Sequence, residues 1–202
     1  MKNFYFLLLV VTFSCNTQPK ELPIIGFQET LDDGTIKYHT IPPFSFVNQD
    51  SLKIENDSFK NKIYAADFFF TSCPSICPKV MKQMVRIADS QENNEKFRLV
   101  SHTIDPKRDT HEVLKIYADN LGIDQSKWHF LTGQKDELLD MADEYYVAAY
   151  EDPTAPGGFD HSGKILLIDT KGHIRAFCDG TDPDDVTEFI KDIDVLMAEY
   201  DD

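Results

Sequence analysis

An eight-residue stretch, Ile63 to Phe70, is apolar or aromatic at every position but Asp67, and it ends three residues before a cysteine pair, Cys73 and Cys77. A run of that length and aromatic content reads as a strand buried on both faces, which only the middle of a sheet covered on two sides can house. The pattern that follows predicts a helix from Pro74 to Ser90, with Cys73 at its N-cap and Pro74 at the first position, where a missing N–H costs nothing. Cys77 then lies one turn from Cys73 on the same face. A helix N-terminus favours negative charge and lowers the pKa of a thiol placed there. A thiolate pair of this kind either binds a soft ion, Cu(I) with zinc as competitor, or attacks a disulfide, and the spacing alone leaves both open.

The rest of the chain alternates strand and helix. Ile24–Leu31 and Thr35–Ile41 read as a hairpin around Asp32-Asp33-Gly34, and Phe44–Val47 as a short extended piece. Phe97–Ile104 is a second buried strand. Asp109 with Glu112 looks like a capping box for a helix through Asn120 that Gly122 stops. Trp128–Leu131 is a strand and Asp136–Tyr146 a helix. Lys164–Asp169 and Ile174–Phe177 are strands joined by Thr170-Lys171-Gly172, and Asp182-Pro183 opens a final helix lined by Val186, Phe189, Ile190, Ile193 and Met197. That order is an α/β, thioredoxin-like one: a central mixed sheet flanked by helices, with an N-terminal β-hairpin extension.

The net charge of −15 and the absence of any Lys/Arg cluster argue against a nucleic-acid partner. Lys2 followed by the apolar run Phe4–Phe13, broken only by Thr12, is too short for a spanning helix of ~20 residues and reads as a signal peptide. Ser14 directly before Cys15 resembles a lipoprotein cleavage box. Residues 1–14 are therefore expected to be a lipoprotein-type signal, 15–22 a tether with lipidated Cys15 as the membrane anchor, and 23–202 the folded domain, exported and facing the periplasm. With Cys15 used by lipid, Cys73, Cys77 and Cys178 remain, an odd number that cannot close a disulfide framework.

One histidine has a position that matters. Gly157 to Ser162 reads as a flexible loop before the strand at Lys164, and in a thioredoxin-like layout that loop faces the start of the first long helix. His161 is thus the candidate third ligand, with Asp160 as its orienting neighbour. The other histidines are expected in structural or solvated roles. Met81 and Met84, on the cysteine face of the helix, read as packing, and Cys178 as a small buried hydrophobe.

The segments Phe69-Phe70-Thr71-Ser72-Cys73-Pro74-Ser75-Ile76-Cys77-Pro78, Ile104-Asp105-Pro106-Lys107-Arg108-Asp109-Thr110, Trp128-His129-Phe130-Leu131-Thr132-Gly133 and Asp160-His161-Ser162 resemble the SCO/SenC family over roughly residues 44–200. The resemblance implies one copper ion, Cu(I) or Cu(II), held by Cys73, Cys77 and His161. It further implies a metallochaperone that delivers copper to the dinuclear site of cytochrome c oxidase, with the copper-bearing oxidase subunit, and other periplasmic copper or thiol-redox proteins, as partners. The alternative is a thiol–disulfide oxidoreductase acting through Cys73 and Cys77 on that subunit or another exported protein. Two features depart from the family pattern: a lipid in place of a membrane helix, and the extra Cys178.

Overall fold

The computed structural model describes residues 21–200. A small hairpin pairs β1 (Gln28–Thr30) with β2 (Ile36–Tyr38), shorter than the pattern predicts, and Gly34 at φ 82° makes its turn. The main sheet holds β3 (Ser45–Asn48), β4 (Lys53–Glu55), β5 (Ile63–Phe69), β6 (Phe97–Thr103), β7 (Trp128–Thr132), β10 (Lys164–Ile168) and β11 (Ile174–Asp179). A second hairpin of β8 (Ala149–Glu151) and β9 (Phe159–His161) stands apart from it. The helices are α1 (Cys77–Ser90), α2 (His111–Leu121), α3 (Lys135–Glu144) and α4 (Pro183–Glu199).

The seven strands lie in the order β11-β10-β5-β6-β7-β3-β4. Strands β5, β6 and β7 are parallel, with β10 and β3 antiparallel on either side. The apolar run is the centre of this mixed sheet, and every residue of β5 is buried. Two consecutive right-handed crossovers in one direction place α1 and α2 on the same face. There Phe69 packs on Tyr117 and Phe130 at 5.5 and 5.6 Å between ring centroids. On the opposite face Phe68 stacks on His102 at 4.9 Å and meets Tyr145, whose hydroxyl hydrogen-bonds that of Tyr64. His102 is fully buried among aromatic rings, neither ring nitrogen has a partner, and burial lowers its pKa to about 3, so it packs as a neutral ring. Among the described residues, no helix is long and apolar enough to cross a membrane.

Helix α1 begins at Cys77, not at Pro74, with Ile76 as its N-cap. The cause is Pro78. In a helix begun at Pro74 it would be an interior proline, lacking the N–H that bonds four residues back and driving its ring into that carbonyl, whereas one position into a helix begun at Cys77 it costs nothing. The expected capping role of Asp109 is also displaced. Thr110 is the N-cap of α2, without a side-chain capping bond, and Asp109 is buried behind it. Short strands β4, β8 and β9 carry no period long enough to read in advance.

Leu22, which the sequence placed at the end of the tether, is buried, and its backbone N–H donates to Glu199. The buried Arg175 guanidinium donates to the carbonyls of Leu22 and Pro23 and to Asp169 and Glu199. Because Ile168 pairs with Tyr64 at the start of β5, this network closes the pole of the sheet opposite the cysteines.

Asp67 is the one carboxyl in the centre of β5. Oδ1 accepts from Ser101 Oγ at 2.5 Å, which in turn accepts from Trp128 Nε1 at 2.9 Å, while Oδ2 has no partner. Burial raises its pKa from 3.8 to about 7. The folded state therefore keeps a proton that the unfolded chain has lost above pH 3.8, and stability falls as pH rises through that window to about 7. Between about pH 5 and about pH 8, the unfolding free energy of Asp67→Asn should gain roughly 2 to 3 kcal/mol relative to the unchanged chain. Denaturant titrations at the two pH values measure it, and a difference that does not move with pH would contradict the assignment.

Candidate metal centre

Strand β5 delivers Phe70 and Thr71 to the top of the sheet, where two contacts fix the turn that carries the first cysteine. Cys73 N–H donates to the Phe70 carbonyl at 3.2 Å. Asp109 holds Thr71 through both its backbone N–H, at 3.0 Å, and its hydroxyl, and reaches Thr103 of β6 at 2.5 Å. Cys73 thus sits in a turn before α1 and Cys77 in its first turn. His161 arrives from the other side, at the end of β9, paired with Ala149.

His161 Nε2 lies 3.2 Å from Cys77 Sγ and 3.9 Å from Cys73 Sγ, and the three donor atoms fall within 4.8 Å of one another. They form the only such cluster among the described residues. His161 Nδ1 lies 3.2 Å from the Ser162 carbonyl and Nε2 faces the sulfurs. A ring proton on Nε2 donates to the Cys73 sulfur in the metal-free chain, and one on Nδ1 would donate to that carbonyl and leave the Nε2 lone pair for a metal. The edge of Phe70 packs on the imidazole at 5.6 Å between centroids. All three side chains are largely buried, with 7, 3 and 9% of Cys73, Cys77 and His161 exposed. A groove lined by Pro78, Met81, Val85 and Tyr117 opens at Cys73 and gives access to it.

The two thiols are unlike. Burial pushes Cys73 up, but hydrogen bonds from the Cys77 thiol, from His161 and from the backbone N–H groups of Cys77 and Ser75 outweigh it, and its pKa falls to about 6. Cys77 goes the other way: burial and the neighbouring Cys73 raise it above the ordinary thiol value. At neutral pH the metal-free pair carries one thiolate, on Cys73, hydrogen-bonded by the proton that Cys77 retains. Two sulfurs and one imidazole nitrogen are a soft donor set that suits Cu(I).

Other expected roles are redistributed. Asp160 does not touch the imidazole; its carboxylate accepts from the Tyr150 hydroxyl at 2.8 Å, and the Ser162 carbonyl takes the orienting place. His161 belongs to a strand and not to a flexible loop, because β8 pairs with it. Cys178 is buried on β11 and burial raises its pKa, as a packing residue requires. Met84 is fully buried, and Met81 is buried while also lining the groove. His39, His111, His129 and His173 bond to the Glu144 carbonyl, Ser51, Asn48 and Asp169 respectively. Cys15 and the signal segment lie outside the described residues. The part of Asp109 in holding Thr71 was not anticipated, since it depends on a buried meeting of residues 38 positions apart.

The family model described as SCO1/SenC matches residues 32–198. A Stutzerimonas stutzeri protein named for copper binding is 27% identical over 183 residues, covering 84% of this chain and 86% of its own. The crystal structure of an SCO1/SenC family lipoprotein from Bacillus anthracis is 25% identical with a TM-score of 0.72, covering 78% of this chain and 95% of that one. BsSco, described as a Sco-family cytochrome c oxidase assembly protein with a disulfide switch, is 28% identical with a TM-score of 0.65, covering 76% and 92%.

The thiol asymmetry has a direct readout. In the reduced, metal-free protein, Cys73 should alkylate with iodoacetamide along a pH curve with its midpoint near 6, while Cys77 and Cys178 stay unmodified at neutral pH. His161→Ala removes one of the bonds to the thiolate and should shift that midpoint upward. Peptide mapping by mass spectrometry follows each site, and equal labelling of Cys73 and Cys77 at pH 7 would contradict the asymmetry.

Proposed function

This chain belongs to the SCO1/SenC family, and from that premise we propose that Cys73, Cys77 and His161 together hold one copper ion per monomer, which the protein delivers to the dinuclear copper site of cytochrome c oxidase during its assembly. The observation that carries this reading is the convergence of two sulfurs and one imidazole Nε2, from three separate elements, within 4.8 Å. The Cys73 thiolate is the ready ligand, Cys77 must release its proton as the ion binds, and the Ser162 carbonyl stands ready to accept from Nδ1 once Nε2 gives up its proton to bind. Three ligands leave room for an incoming thiolate of the copper-bearing oxidase subunit, and the groove ending at Cys73 is the side from which it enters. Export and a membrane anchor through lipidated Cys15 belong to the same reading; the description of the Bacillus anthracis relative as a lipoprotein supports them.

A second reading has its own observation. A low-pKa Cys73 beside a protonated Cys77 is the arrangement of a nucleophilic and a resolving thiol, and the disulfide switch described for BsSco supports a thiol–disulfide exchange reaction on the same partner. The two readings separate at His161, because copper needs the imidazole whereas exchange needs the thiols.

Anaerobic copper titration of the native chain, followed by metal analysis and absorption spectra, should give one copper per monomer. His161→Ala should lose at least tenfold in affinity, on the order of the 1.4 kcal/mol or more that one ligand contributes, and Cys73→Ser or Cys77→Ser should lose stoichiometric binding. Full copper retention in His161→Ala, with disulfide exchange unaltered, would overturn the three-ligand site in favour of the oxidoreductase.

A further inference from the structure

The three donors come from parts of the chain that no disulfide joins, and His161 stands on a small hairpin outside the main sheet. Something other than the metal must bring that hairpin to the cysteines. The nearest candidate is the segment before β9. Gly157 lies at φ 85° directly on the ring of Phe70, so closely that a Cβ there would stand 2.6 Å from Cε2 and 3.0 Å from Cζ. Phe70 is 1% exposed and cannot withdraw. The same ring packs on Phe159 at 5.4 Å and on His161 at 5.6 Å between centroids. Above Gly157, Arg108 Nη1 donates to its carbonyl at 3.3 Å.

Arg108 is itself held. Its Nη1 meets Asp105 Oδ2 at 2.5 Å, and the Asp105 side chain is 5% exposed. The Asp105 carbonyl accepts from the N–H groups of Arg108 and Asp109, at 3.0 and 2.9 Å, which closes the turn. The next residue, Asp109, holds Thr71 on the cysteine side. One turn, Asp105 to Asp109, therefore ties down both halves of the site: Asp109 the cysteine loop, Arg108 the histidine hairpin.

We infer that Arg108 is a positioning residue for His161, acting through a seat that Gly157 makes between the Phe70 ring and the Arg108 guanidinium. The inference rests on the copper reading for its consequence, but the seat is present in the metal-free chain. It makes the histidine the adjustable ligand of the three. Cys73 is held in the turn that Asp109 ties to β6 and Cys77 lies on α1, while the hairpin that carries the imidazole meets that turn through a glycine contact and one hydrogen bond from an arginine whose side chain is 58% exposed. Loosening the seat should free the imidazole and leave the two sulfurs in place.

Two measurements test it on the full chain, with Arg108→Ala, Arg108→Lys and Gly157→Ala. The first is hydrogen exchange in the metal-free protein at the amides of Asp152 and Ser162, which bond to the Gly158 and Ala148 carbonyls. Arg108→Ala should speed both by roughly fivefold, the factor for losing a hydrogen bond of about 1 kcal/mol, while the β5 and β6 amides are unchanged. Arg108→Lys should recover part of the protection, and Gly157→Ala, which meets a buried ring, should exceed Arg108→Ala. The second is the Cu(II) electron paramagnetic resonance spectrum. The nitrogen coupling should weaken or become heterogeneous in Arg108→Ala and Gly157→Ala while Cu(I) stoichiometry holds at one. Unchanged hairpin exchange in Arg108→Ala, or faster exchange spread over the whole sheet, overturns the positioning role. Absence of copper binding in the unchanged chain would overturn the copper reading and leave the exchange result standing on its own.

Discussion

The missing N–H of Pro78 decides the geometry of the cysteine end. It excludes a helix begun at Pro74, of which Pro78 would be an interior residue; α1 starts at Cys77 with Pro78 in its first turn, which leaves Cys73 in a turn and not on the helix. Freed from the helix, Cys73 is capped by the N–H groups of Ser75 and Cys77 and turned towards the imidazole, and these bonds overcome the effect of burial on its pKa. Cys77, in the first turn and more deeply buried, keeps its proton. The two thiols, four residues apart, thus differ in burial and in pKa while both face the same Nε2.

Around that junction the fold accepts buried polar groups whose roles differ. Asp109 is paired three times over and ties the cysteine loop to β6. Asp169 is likewise paired, with Arg175, His173 and Tyr200, and closes the far pole where the N-terminal segment enters. Asp67 is only half satisfied and destabilises the sheet wherever it ionises. Of the three, the half-satisfied carboxyl lies in the strand that leads to the cysteines, and the fully paired ones tie segments of the fold together.

Much of this was legible in the residues. The run at Ile63–Phe70 announced the central strand by length and aromatic content, and the two buried strands, the four helices and the terminal hairpin followed from period and turn chemistry. The convergence of Cys73, Cys77 and His161 was legible because cysteine and histidine are sparse and the strand–helix order brings their segments to one end of the sheet. What was hidden had physical reasons. The start of α1 turned on weighing Pro78 against Pro74, and the pattern gave the first proline too much weight. Strands β8 and β9 are three residues each, too short for alternation to show, so His161 read as loop. The Arg108 contact with Gly157 and the Asp109 contact with Thr71 join residues far apart in sequence, which periodicity cannot see.

X-ray absorption at the copper edge of the loaded chain tests the central claim most directly. The account predicts two sulfur neighbours and one imidazole nitrogen around the ion, with the nitrogen lost in His161→Ala and nothing changed in Cys178→Ser. A coordination sphere of sulfur alone in the native chain, or one that needs Cys178, would contradict it.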